Sequence, residues 1–301
     1  VIVFNRKSAR EKGVRLNRRD EDVVWLRPNT RHEHGLFRAW AVMLRNLKSS
    51  RMLIWLLFKR DFLANYKKSF IGFAWIFIMP LAGIVQWVFL QRTGILNPGE
   101  AGVPYPVYVL VGTTMWGLFV GMFNAASATL TAGQALVMQV NYPHEAFLFK
   151  EVAQQMARFM ISFVMVLVVL AAFRVVPAWT TLLLPLVVLP MFFLASAAGL
   201  VAAMLAVVAV DIRMIINMTL GLMMWAAPIV YVAPAENAFV RLLNRWNPLT
   251  YLVCSARDIV LHGRLYEPPV FALCSAVAFV LFLLSWRLFY VSEAQLIERM
   301  V

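Results

Sequence analysis

The sequence predicts an all-α membrane protein. It has six transmembrane helices, an N-terminal interfacial amphipathic helix ahead of them, and a re-entrant helical hairpin before the last span. Three observations carry this reading. Of 301 residues, 62% are hydrophobic and only 14% charged, which leaves too little polar surface for a soluble globule. Beyond Ser69 the chain is built largely from long apolar stretches nearly free of charge. The charge is also lopsided, with 17 Lys/Arg against 6 Asp/Glu in residues 1–69 and 11 against 9 in the remainder.

An uncharged helix of ~20 residues matches the hydrocarbon thickness of a bilayer. Residues 70–90 make the first span, with Gln86 its most polar member, and residues 105–130 the second. Residues 152–173 make the third, with Arg158 near its cytoplasmic end, where a long stem reaches the interface. No charge lies between Arg174 and Asp211, which places the fourth span near 182–210. Residues 214–232 form the fifth, and 269–286 a shorter sixth. Lipid leaves backbone polar groups unpaired unless they bond within the segment, so the spans are helices. The period-two alternation of a membrane barrel is absent. Six spans place both termini on one side, and the basic head assigns that side to the cytoplasm. Arg92, Arg174, Arg241, Arg245, Arg257 and Arg264 then fall outside, and Lys150, Arg158, Arg213, Arg287 and Arg299 inside.

Ahead of the spans, residues 1–34 form a polar, basic cytoplasmic arm without the apolar core or cleavage site of a signal peptide. Residues 35–69 differ. Leu36, Trp40, Met43, Leu44 and Leu47 recur at helical spacing with Arg38, Arg45 and Lys48 on other faces, and an apolar run precedes Lys59, Arg60, Lys67 and Lys68. An apolar stripe with a basic flank suits a helix lying among anionic headgroups; packing against another protein domain is the alternative. The loop 131–147 contains Asn141-Tyr142-Pro143-His144-Glu145, where proline disfavours helix at Tyr142 and suits the first turn of a new one. Residues 233–267 are too polar to span yet periodic. Phe239, Leu242, Leu243 and Trp246 share one face, Arg241 and Arg245 lie elsewhere, and Asn247-Pro248 supplies a cap and a first-turn proline before Leu252, Val253, Ala256, Ile259 and Val260. Two short amphipathic helices joined at Asn247-Pro248 would form a dipped hairpin on the outer side. Residues 292–301 close the chain as a cytoplasmic tail.

Several chemistries are missing. No Gly is followed by Lys, so the chain has no phosphate-cradling Gly-Lys-Ser/Thr loop. No Asp or Glu lies deep inside a span; Glu151 and Asp211 sit at span ends, which disfavours a proton-driven carrier. Cys254, Cys274 and four scattered His make no metal-ligand cluster, and no catalytic constellation of Ser, His and acids stands out. The chain reads as a passage that takes its energy from elsewhere, with no catalytic, cofactor-binding or metal residues of its own. A basic arm beside six spans meets phospholipid or a polyanionic partner rather than nucleic acid. The stripe Phe70, Phe73 and Phe77, with Trp75 beside it, offers flat surfaces to sugar rings; ordinary lipid contact explains the same residues. Gly117-x-x-x-Gly121 and Ala195-x-x-x-Gly199 allow close helix approach within the bundle or between subunits.

Specific motifs then enter in order. Lys59-Arg60-Asp61-Phe62 with Tyr66, Ser69, Gly72, Trp75 and Pro80 resembles the start of the first span in membrane permeases of ATP-binding-cassette polysaccharide exporters, those of O-antigen, capsule and teichoic acid. Gly112 and Trp116, Tyr142-Pro143-His144-Glu145, Asp211-Ile212-Arg213, Pro228-Ile229-Val230-Tyr231 and Asn247-Pro248-Leu249-Thr250 continue the resemblance over roughly residues 50–290. It implies a transport subunit of the bacterial inner membrane, multi-pass and not itself an enzyme, covering residues 70–291. This subunit would pair with a second copy and with two nucleotide-binding ATPase subunits that carry ATP and Mg. Asn141 to Glu145 would couple to the ATPase, and Arg241, Arg245, Trp246, Asn247 and Pro248 would belong to an outer gate. The first and fifth spans would line a channel for a lipid-linked polysaccharide, with Phe70, Phe73, Trp75 and Phe77 as its aromatic lining. From charge and position, Lys59, Arg60, Lys67 and Lys68 are expected to attract the phosphate of the lipid carrier. Asn65 and Val210 depart from the family pattern, each standing where a basic residue is frequent. An exporter of drugs or small lipids shares this architecture; a secondary transporter or a membrane glycosyltransferase fits less well.

Overall fold

The computed structural model describes residues 36–67, 74–129, 144–208, 210–233 and 237–300, and within them every regular element is helical. A single 32-residue helix, α1 (Leu36–Lys67), precedes α2 (Trp75–Arg92), α3 (Tyr105–Ser127) and α4 (His144–Ala172). A 3₁₀ turn (Trp179–Leu183) leads through α5 (Leu184–Val187) into α6 (Leu189–Val208), and α7 (Val210–Ala226) follows. The short helices α8 (Ala238–Trp246) and α9 (Pro248–Leu261) precede the long α10 (Pro268–Met300). Among the described residues, four stretches are long and apolar enough to cross a membrane: Tyr105–Ser127, Leu148–Ala172, Trp179–Val207 and Pro268–Ser292. Phe77–Arg92 and Met214–Ala226 are shorter apolar helices.

Helix α3 is the centre of the bundle, buried along most of its length between α4 and α6, with α2 alongside. Helix α10 packs on α6 and α1 lies along α4. Small residues set how closely α3 and α6 approach. A side chain at Gly199 would stand 2.5 Å from the Phe123 carbonyl oxygen and 2.6 Å from Ala126 Cβ, and Ala195 one turn earlier is fully buried. The Ala195-x-x-x-Gly199 motif is therefore a contact within the chain. In the other motif Gly121 makes room for the Gln155 side chain, which donates to the Gly117 carbonyl (3.3 Å), while Gly117 faces open space.

Three expectations change. The fifth helix begins at Val210 and stops at Ala226, short of the expected 232, because Pro228 has no N–H to offer and restricts the residue before it. Residues 227–232 form an irregular segment instead, buried through Val230 and half-buried at Tyr231 and Val232. The fourth span starts as a 3₁₀ turn and a single α-turn before α6, with Pro185 in the first turn of α5 and Pro190 in the first turn of α6. The last helix runs on well past 286 to Met300.

Candidate functional site

The irregular segment 227–232 carries the motif Pro228-Ile229-Val230-Tyr231 in the interior, with Ala227, Ile229 and Val230 sealed from solvent. Buried backbone carbonyls need donors, and no regular element supplies them here. Side chains do so instead. Arg257 on α9 donates to the Pro228 carbonyl (2.9 Å), and from the first turns of α3 the Tyr105 hydroxyl donates to Val230 (2.9 Å) and that of Tyr108 to Tyr231 (2.9 Å). Asn247 Nδ2 holds the Ala226 carbonyl (3.0 Å), and Val232 N–H closes onto Pro98 (2.7 Å). The Ile229 carbonyl rests on the backbone of α3 at Gly112, where a Cβ would overlap it. Gly112 is therefore required by close approach.

Arg257 is the keystone of this strap. Its side chain is 4% exposed, its Cζ lies 3.9 Å above the Tyr108 ring, and Nη2 donates to Cys254 Sγ (3.3 Å). Asp258 Oδ1 stands 3.9 Å from Nε and 3.4 Å from His262 Nδ1. A delocalised guanidinium over an aromatic face is the form in which a cation tolerates burial. The sequence places Arg257 on the outer side of the membrane and does not by itself show that the residue is buried; the structure adds this, because α9 is buried nearly all round rather than along one stripe. A cation at the centre of the apolar run 252–261 was the signal available for it.

The two short helices join as their caps dictate. Asn237 Oδ1 accepts from Phe239 N (2.9 Å) and Val240 N (3.4 Å) to start α8. Asn247 Oδ1 accepts from Leu249 N (3.0 Å) to start α9, with Pro248 as its first residue. Tyr251 ties the pair by donating to the Arg245 carbonyl (2.9 Å), and the Tyr231 hydroxyl reaches Asn244 Oδ1 (2.9 Å). Burial raises the Tyr231 phenol pKa, and the Asn244 bond opposes the rise. The Phe239, Leu242, Leu243 and Trp246 face of α8 is left uncovered by the chain.

A second polar cluster joins α1 to the first turns of α4 at the opposite end of the bundle. Lys150, buried, donates to Asp61 Oδ2 (2.9 Å) and stands 2.6 Å from Glu151 Oε1, while Arg60 Nε donates to Asp61 Oδ1 (2.7 Å). Burial alone would raise the Asp61 pKa. The hydrogen bonds from Arg60 and Lys150 and their charges outweigh it and hold the carboxyl below its ordinary value.

The remaining expected site residues are placed as follows. Lys59 and Arg60 are exposed on α1; Lys67 ends that helix, with its side chain outside the described residues, as is Lys68. Trp75 and Phe77 lie exposed at the start of α2, and Phe70 and Phe73 fall outside the described residues. Asn141, Tyr142 and Pro143 also fall outside, and α4 begins directly after them at His144-Glu145, whose side chains are not described. Arg241, Arg245 and Trp246 are exposed on α8.

Residues 52–261, which hold the strap, both short helices and the α1–α4 cluster, match the family described as ABC-2 type transporter. The chain belongs to the ABC-2 type transporter family. As an ABC-2 permease it is a transport subunit and a multi-pass membrane protein. ABC-2 permeases generally pair with ATPase subunits. This permease is 26% identical over 245 residues to the "O-antigen export system permease protein RfbA" of Myxococcus xanthus, covering 79% of this chain and 92% of that protein. Over 214 residues it is 21% identical to the protein of the same name from Klebsiella pneumoniae, covering 69% and 80%.

Proposed function

We propose that this ABC-2 permease is the membrane half of an ATP-driven exporter of a lipid-linked polysaccharide across the bacterial inner membrane. The observation that carries the reading is the near end-to-end match to two permeases named for O-antigen export, at 92% and 80% of their lengths. The chain acts as a pair with a second copy, and two ATPase subunits bearing ATP and Mg drive it. Its topology is six spans, in which α2 and α7 complete the four long ones, with both termini cytoplasmic. The loop at Asn141 to Glu145 receives the ATPase stroke and hands it to α4, and the Asp61–Lys150 tie passes it to α1.

Helices α8 and α9 form the re-entrant outer gate, with the uncovered face of α8 toward lipid. Arg257 and the two tyrosines of α3 hold that gate rigidly to the bundle through the strap. Phe70, Phe73, Trp75 and Phe77 line the glycan path, and Lys59, Arg60, Lys67 and Lys68 attract the carrier phosphate. The test is deletion of the gene with complementation. Loss of surface glycan and accumulation of its lipid-linked precursor inside the cell are expected, reversed by restoring the permease in a strain that keeps its ATPase and not in one that lacks it. Unchanged surface glycan in the deletion strain, or accumulation of a drug instead of a glycan precursor, would overturn the reading.

A further inference from the structure

Beside the gate helices lies a cavity of about 290 Å³, enough for one sugar residue, whose lining is more polar than apolar. Two of its walls are Asn244 and Thr250, 5% and 2% exposed, and each carries a polar atom without a hydrogen-bond partner: Asn244 Nδ2 and Thr250 Oγ1. A buried donor left unpaired is unfavourable, and a ligand oxygen in the cavity removes the penalty. The Asn244 oxygen is already engaged by Tyr231, so the amide offers N–H groups to the cavity side of the pair.

The rim adds Arg241 and Arg245, one helical turn apart on α8, and among the described residues neither has a carboxylate within 4 Å. The lining also includes Tyr251 and Tyr266, with ring centroids 6.1 Å apart, and, among the described residues, one acid, Glu267. Guanidiniums and amide N–H groups only donate, so donors and positive charge predominate in the lining. An aromatic pair beside such donors suits a ring with an apolar C–H face and an oxyanion substituent.

We propose that this cavity is a subsite for an acidic sugar residue, one bearing a carboxylate or phosphate. The oxyanion is held between Arg241 and Arg245, ring hydroxyls meet Asn244 Nδ2 and Thr250 Oγ1, and the ring face rests on Tyr251 or Tyr266. The inference rests on the export reading only for the source of the sugar; binding itself is independent of it.

The test uses the full-length permease in nanodiscs of phosphatidylcholine, titrated with trigalacturonate and with the neutral maltotriose. Trigalacturonate is expected to bind with a Kd at least tenfold lower than maltotriose. Arg241→Gln with Arg245→Gln, both at exposed positions, is expected to abolish that preference without moving the thermal midpoint. Asn244→Asp keeps an oxygen for Tyr231 but turns the free donor into an acceptor, and is expected to weaken trigalacturonate binding tenfold. Equal binding of the two probes, or unchanged preference in the double variant, would overturn the proposal. So would complete loss of trigalacturonate binding in phosphatidylglycerol nanodiscs, which would assign the cavity to lipid headgroups. Acid-selective binding in a chain whose deletion leaves surface glycan intact would refute the export reading alone.

Discussion

Gly112→Ala isolates the contact between the strap and the centre of the bundle. The added methyl would overlap the Ile229 carbonyl oxygen and stand 3.3 Å from its carbon and 3.6 Å from its Cα, all backbone atoms with no rotamer to change. The carbonyls flanking that residue are held by Arg257, Tyr105 and Tyr108 at 2.9 Å each. Restoring an ordinary separation takes a shift of about 1 Å, which carries at least one of these bonds out of range. Overpacking of a well-filled core costs about 1–3 kcal/mol. A buried carbonyl left unpaired costs about 1–3 kcal/mol more. Alanine returns about 1 kcal/mol through helix propensity, so the net loss is about 1–5 kcal/mol, centred on ~3 kcal/mol.

Thermal unfolding of the purified protein in detergent reads this directly. At about 2–4 °C per kcal/mol for a chain approaching this size, the central loss of ~3 kcal/mol lowers the midpoint by about 6–12 °C. Gly117→Ala, on the same helix with nothing within 4 Å, is the matched control and is expected to leave the midpoint unchanged or slightly higher. If the two variants unfold at the same temperature, the strap does not bear on α3 as described.

Three further outcomes follow from the same geometry. Arg257→Met keeps the volume but strands the Pro228 carbonyl and takes the cation from beside Asp258, and is expected to cost about 3–5 kcal/mol in a denaturation series, whereas Tyr108→Phe, which keeps the ring beneath the cation, costs about 1 kcal/mol. Asn247→Ala removes both the cap of α9 and the bond to Ala226, a loss of about 1–2 kcal/mol, and amide exchange in α8 and the start of α9 is expected to quicken before the rest of the bundle is affected. Asp61→Asn leaves Lys150 with Glu151 and costs about 1–2 kcal/mol at pH 7. Because the folded Asp61 pKa is depressed, the native carboxylate contributes above its unfolded pKa near ~4 and loses that contribution as pH falls through the lower folded value. Stability curves of native protein and variant are therefore expected to run parallel above pH ~5 and to converge in stronger acid.

Much of the helical inventory was legible because it rests on local chemistry. Long uncharged runs can satisfy their backbone in lipid only as helices, and the apolar stretches near 105–130, 152–173 and 182–210 each contain one. The junction at Asn247-Pro248 was legible for the same reason, since a cap bonds to an amide two residues away and a proline acts on its own turn. The end of the fifth helix was misread because apolar composition continues through 232. What stops the helix is Pro228, and what makes the segment after it tolerable is a set of donors drawn from elsewhere.

Those donors mark where sequence stops. Tyr105 and Val230 are 125 residues apart, Tyr108 and Tyr231 123, and Asp61 and Lys150 89. By itself the sequence determined the membrane class, the helical runs and the capped turn between α8 and α9, because each follows from residues within a turn or two of one another. The tertiary structure alone decided that Arg257 is buried, that Gly112 must lack a side chain, and that Asn244 and Thr250 meet the two arginines around one cavity. Each depends on which distant backbone group arrives beside it, and hydrophobic periodicity carries no record of that partner.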